Sequence, residues 1–168
     1  PRGPRGQASF GRIGAMAADP MNIPPVSIAA AKAALVEQFA DPVLRRRATM
    51  LWGTRGVGKS SIVQQVAQHF GVPLVDLRLT TIEPVDIRGA IYADDTQGKT
   101  VWFPPEFLPG ADQPAGILFL DEFNSAAQAT QAAAYQLVLD RKLGDYNVPE
   151  GWAIVAAGNR ASDRAIVN

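Results

Sequence analysis

Eight consecutive residues, Gly53-Thr54-Arg55-Gly56-Val57-Gly58-Lys59-Ser60, carry the most legible chemistry in this chain. They fill every fixed position of the phosphate-binding pattern G-x-x-x-x-G-K-[ST]. Glycines allow the tight turn that points successive backbone N–H groups inward, which makes a nest for an anion. Lys59 brings a mobile positive charge able to reach the β- and γ-phosphates of a nucleotide. The Ser60 hydroxyl is the kind of oxygen ligand that a hard cation such as Mg²⁺ takes. With Ser61 added, the candidate phosphate-binding stretch is Gly53–Ser61. A glycine-bearing turn that matches by accident is the competing reading, and the flanking residues weigh against it.

A phosphate loop also needs a metal partner and a means of activating water. Leu118-Phe119-Leu120-Asp121-Glu122 offers both, because a buried apolar run ends in two acids. Ligands bind beyond the carboxyl ends of strands in open α/β sheets. Asp121 is expected to hold Mg²⁺ through water together with Ser60. Glu122 is expected to act as the base for the attacking water, which requires hydrogen-bond reach of the proton it takes. An Asp-Glu pair after a strand is also an ordinary helix cap with a first-turn acid. Its placement 61 positions after Ser60, beyond another strand, favours the functional reading. Asn159 follows the apolar run Val155-Ala156-Ala157 and Gly158, and its amide can orient the water or touch the γ-phosphate. Asparagine after glycine is equally a turn residue.

These groups meet only if strands and helices alternate in one sheet. Ala48–Trp52 reads as a buried strand, and Ile62, Val63, Val66 and Phe70 stand at helical spacing after the loop. Strand, glycine loop and helix together aim a helix N-terminus at phosphate. Upstream, Ser27 can cap a helix to Phe39 whose inward stripe is Ile28, Ala31, Leu35 and Phe39. Asp41-Pro42 ends it, and Arg45-Arg46-Arg47 reads as a solvated turn or a contact with a neighbouring subunit. A second strand spans residues 73–80, and Glu83-Pro84 starts a short helix. Gly89–Ala93 and Lys99–Phe103, joined by five polar residues ending in glycine, read as a hairpin that Pro104-Pro105 stops. The runs 116–120 and 152–157 fit strands covered on both faces. An alanine-rich helix over 126–139 lies between them, followed by a loop or small hairpin over 141–149. The expected fold is a three-layer αβα sandwich with a mainly parallel sheet and right-handed crossovers.

Composition narrows the function classes. Sixteen basic residues balance sixteen acidic ones, so nothing calls for nucleic acid or an anionic membrane as partner. Cysteine is absent and there is one histidine, His69, which leaves neither a thiolate zinc site nor a histidine metal cluster. That suits the cytoplasm. No apolar run approaches the roughly 20 residues of a membrane span. Residues 1–22 differ from the rest: Pro1–Gly6 is rich in Pro, Gly and Arg. The segment is expected to be a disordered or appended tail, with a targeting peptide as the lesser reading. The folded domain is then 23–168.

Taken together, the three elements resemble the AAA+ ATPases. Gly53–Ser60 is similar to Walker A, Leu118–Glu122 to Walker B, and Asn159 to the sensor 1 asparagine. Within that superfamily the chain resembles the MoxR-like branch, in which a β-hairpin interrupts the second helix, as Gly89–Phe103 would here. Ile117–Asn124 is similar to that branch's Walker B, where an apolar residue and asparagine follow the acids. Arg141 resembles the basic residue after the next helix. The resemblance spans about residues 26–168. It implies a P-loop core binding ATP and ADP with Mg²⁺, assembly into a homo-oligomeric ring that is often hexameric, and remodelling or maturation of a client protein. It also implies an arginine finger and a helical lid with sensor 2, which Arg160 and Arg164 do not supply. The segment is therefore expected to stop before the lid and to hydrolyse ATP weakly by itself. Thr80 is a candidate for holding Glu122 inactive until a partner binds, with Arg78 as its rival.

Two functions remain in view. One is an ATPase that remodels a partner. The other is a nucleotide-gated binding module with little turnover, which would recruit its partner through Tyr92 and Trp102 of the hairpin. The competing reading has both aromatics packed on the domain. A GTPase lacks support, since no N-K-x-D motif occurs.

Overall fold

Leu118, Phe119 and Leu120 are completely buried, which requires cover on both faces of the strand that carries them. The computed structural model describes residues 9–12 and 25–159. In chain order the elements are β1 (Ser9–Arg12), α1 (Ile28–Ala40), α2 (Pro42–Arg45), β2 (Thr49–Trp52) and α3 (Lys59–Phe70). Next come β3 (Leu74–Arg78), a 3-10 turn at Leu79–Thr81, α4 (Pro84–Arg88), β4 (Ala90–Asp94) and β5 (Lys99–Phe103). The chain continues through β6 (Ala115–Asp121), a 3-10 turn at Phe123–Ser125, α5 (Gln128–Asp140), β7 (Lys142–Leu143), β8 (Tyr146–Asn147) and β9 (Gly151–Gly158).

The main sheet has the order β1-β2-β9-β6-β3. The pairs β2–β9, β9–β6 and β6–β3 are parallel, and β1 adds to β2 antiparallel. β1 corrects one expectation: residues 9–12 of the presumed tail form an edge strand, in register Phe10 with Leu51. Pairing to an open sheet edge needs backbone groups, which a hydrophobic-period reading does not register. The rest of that tail, and Arg160 and Arg164, lie outside the described residues.

Alternation of side chains along the strands divides the core in two. Leu51, Ile117, Phe119, Ala153 and Val155 face α1 and α3 through Ala31, Leu35, Phe39, Ile62, Val63 and Val66. Leu118, Leu120, Ile154 and Ala156 face α4 and α5 through Ile87, Ala134, Leu137 and Val138. This is the expected three-layer sandwich. Ser27 caps α1, its Oγ accepting from the Ala30 N–H at 3.1 Å. The α1 stripe holds at three positions, but Ile28 is 45% exposed, and Val26 before the cap packs on the cluster instead. Asp41 does more than end α1: its carboxylate accepts from the N–H groups of Val43 and Leu44 and so starts α2.

Strands β6 and β9 come close together at Gly116 and Trp152, which are paired across the ladder. A Cβ on Gly116 would lie 2.5 Å from the Trp152 ring. That ring is fully buried, and its Nε1–H donates to the Gln113 carbonyl at 2.7 Å. Both small hairpins form, β4–β5 and β7–β8. The two hairpin aromatics part company. Trp102 packs towards the core and donates its Nε1–H to the Arg88 carbonyl at 2.6 Å, whereas Tyr92 is 59% exposed.

Candidate functional site

The loop between β2 and α3 wraps around a buried ammonium. Gly56 and Gly58 have φ of 75° and 98°, a left-handed conformation that side chains with a Cβ rarely adopt. Gly58 then precedes Lys59, the first residue of α3, so the helix N-terminus opens onto the loop. Lys59 is 8% exposed. Its Nζ donates to the carbonyls of Gly53 at 2.8 Å and Thr54 at 2.9 Å, and to Asn159 Oδ1 at 3.3 Å. The charge is thus held in place by oxygens drawn from the loop and from the end of β9.

Parallel pairing brings the second half of the site to the same rim. β6 is one strand away from β2, with β9 between them, and Asp121 is its last residue. The Ser60 hydroxyl donates to Asp121 Oδ2 at 3.1 Å. Asp121 Oδ1 accepts from the Glu122 N–H at 2.8 Å, which orients the carboxylate towards the loop. Glu122 itself has φ 56°, so the chain turns sharply at the base candidate. Strain at a non-glycine residue of this kind is typical of functional turns. Arg55, Gly56, Gly58, Lys59, Ser60, Ser61, Asp121, Glu122 and Asn159 line one cavity of about 310 Å³. Hard oxygen donors from Ser60 and Asp121, close enough to share a proton, suit Mg²⁺.

The electrostatics of the rim come from neighbouring strands. Asp76 on β3 has its carboxyl pushed above the usual range, first by burial and then by the Asp121 carboxylate, with Arg78 opposing. Thr80 lies beyond the end of β3, in the 3-10 turn rather than on the strand as expected. There its hydroxyl donates to Glu122 Oε2. Arg78, the rival, pairs across the ladder with Asp121.

Two residues that the sequence offered only through the family resemblance prove to grip β9 at its ends. Asn124 grips the backbone of Asn159, accepting its N–H at 3.0 Å and donating to its carbonyl at 2.6 Å. The only signal was its place two residues after the acids. Arg141 was noted by resemblance alone. It proves to be a clamp at the opposite end of β9, donating to the carbonyls of Pro149 at 3.0 Å and Trp152 at 2.7 Å. Burial, then Arg46, lowers its pKa.

A parallel sheet whose glycine loop, lysine and strand-end acids converge in this way defines a P-loop nucleoside triphosphatase core. Residues 48–165 match the AAA domain (dynein-related subfamily), and the chain belongs to that family of ATPase domains. Over 88 residues it is 25% identical to the replication factor C large subunit of Thermoplasma acidophilum, a stretch covering 52% of this chain and 20% of that protein. The chain therefore spans about a fifth of that curated relative's length. Two solved structures are similar in part. One is a candidate ATPase of Cytophaga hutchinsonii, with TM-score 0.49, 16% identity, and cover of 79% of this chain and 38% of that one. The other is NtrX from Brucella abortus in complex with ATP, with TM-score 0.48, 18% identity, and cover of 83% and 30%.

Proposed function

We propose that the chain carries the nucleotide-binding core of a MoxR-like AAA+ ATPase that couples Mg²⁺-dependent ATP hydrolysis to remodelling of a partner protein within a homo-oligomeric ring. The observation that carries the ATPase reading is the 3.1 Å contact between Ser60 and Asp121. It joins the phosphate loop to the acidic strand end, as a shared metal requires. The hairpin β4–β5, inserted after α4, supports the branch assignment.

Each residue then has a role. Backbone N–H groups of Gly53–Ser61 cradle the phosphates. Lys59 stabilises charge on the transferred group. Ser60 and Asp121 would hold Mg²⁺, which supplies neutralisation of phosphate charge when bound. Glu122 takes a proton from the attacking water, and Asn159 positions that water.

The test is Glu122→Gln in the full-length protein. Phosphate release should stop while ATP affinity stays intact. Normal hydrolysis by this variant would remove Glu122 from the base role.

One observation favours the second reading, a nucleotide-gated module with little turnover. Thr80 already occupies a Glu122 oxygen, so the base is engaged before any water arrives. On this reading ATP drives assembly or shape, and exposed Tyr92 and Phe103 on the hairpin meet the partner. Tight ATP binding by the full-length protein without steady phosphate release would decide for it.

A further inference from the structure

We propose that Asn124 is a positioning residue for hydrolysis, which sets the distance between the Asn159 amide and the Glu122 carboxylate. The inference rests on the ATPase reading above.

Main-chain pairing runs out where it is most needed. The β6–β9 ladder ends at Leu120 with Ala156, and the β2–β9 ladder ends at Trp52 with Gly158. Asn159 lies beyond both, past Ala156 and next after Gly158. Its peptide N–H and carbonyl are taken instead by one side chain, that of Asn124, at 3.0 and 2.6 Å. A primary amide offers a donor and an acceptor in one plane, as a neighbouring strand would. Asn124 thus adds a last rung to the sheet from the side.

The rung connects the two groups that must share a water. Asn124 sits two residues after Glu122, in the 3-10 turn whose Phe123 is 1% exposed and lies edge-on to Tyr135 at 4.7 Å. At its other end, Asn159 Oδ1 accepts from Lys59 at 3.3 Å. Room for the clamp is reserved by Gly158, where a Cβ would stand 3.1 Å from Asn124 Oδ1 and 2.7 Å from the Trp52 ring. Lys59 keeps its Gly53 and Thr54 acceptors whatever happens at position 124. Loss of the clamp should therefore reach the chemical step and spare nucleotide binding.

A double-mutant cycle in the full-length protein tests this. Asn124→Ala should lower kcat at least about tenfold with the Kd for ATP within about twofold. Adding it to Asn159→Ala should cost no more than about a further twofold, because both changes disable one device. Asn124→Asp keeps the shape, loses the donor and sets an oxygen against the Asn159 carbonyl, so it reads the same role if alanine impairs folding. A kcat within twofold of the parent in both variants, or losses that multiply with Asn159→Ala, would overturn the proposal. So would a fall in ATP affinity as large as the fall in kcat. The controls separate the two levels. Turnover that survives Lys59→Ala and Glu122→Gln defeats the ATPase reading and the positioning role with it. Turnover that those changes abolish, and that both Asn124 variants leave intact, defeats the positioning role alone.

Discussion

Removing the Lys59 ammonium while keeping its bulk, as Lys59→Met, should separate affinity from stability. In the folded chain the charge is almost fully buried and held by the carbonyls of Gly53 and Thr54 and by Asn159. Such charged hydrogen bonds contribute about 1.5–3 kcal/mol each, but burying the ammonium costs several kcal/mol. These opposing terms leave the folding stability changed by only about 1–2 kcal/mol. Binding has no such cancellation. At an effective dielectric near 20, a phosphate charge about 4 Å from the ammonium is worth ~4 kcal/mol. At about 1.4 kcal/mol per decade, ATP affinity should fall roughly a thousandfold. Titration of a fluorescent ATP analogue with excess Mg²⁺ gives the Kd, and urea unfolding gives the stability. A variant that binds within about threefold of the parent would refute the reasoning, since the charge would then not face the phosphates. A variant that loses binding only because it unfolds would refute the claimed balance.

Thr80→Val should free Glu122 and raise basal phosphate release several-fold, since the hydroxyl that occupies the carboxylate is gone; unchanged or lower release would show that the contact does not restrain the base. Gly116→Ala should destabilise the domain by about 1–3 kcal/mol through overpacking, read as a lower urea midpoint, because the buried and hydrogen-bonded Trp152 ring has nowhere to move. Alkaline unfolding should report Tyr146, whose hydroxyl donates to the Pro109 carbonyl at 2.8 Å and whose pKa burial raises to about 12 from 10.0. A folded pKa above the unfolded one gives stability that is whole below about pH 10 and lost as pH rises through 12. With solvent screening of a half-buried ring allowed for, the loss is on the order of 1 kcal/mol, and Tyr146→Phe should flatten that part of the stability curve.

Much of the site could be read from local residue order, because its local parts depend on local geometry. Glycines at 56 and 58 announce a left-handed turn, and the apolar run ending in Asp121-Glu122 announces a strand whose acids emerge at its carboxyl end. Periodicity and turn residues likewise placed the longer helices and the hairpin β4–β5, while they left 141–149 open between loop and hairpin and missed α2. What they could not supply is which strands are neighbours. The insertion of β9 between β2 and β6 brings Asn159 to Lys59 across 100 residues and lets Asn124 reach the same peptide across 35. The turn after β3 delivers Thr80 to Glu122, and an open edge recruits residues 9–12. These meetings follow from backbone ladders and from side chains that finish them. Strand order is set by which arrangement buries both faces of the whole sheet, and no window of neighbouring residues contains that sum.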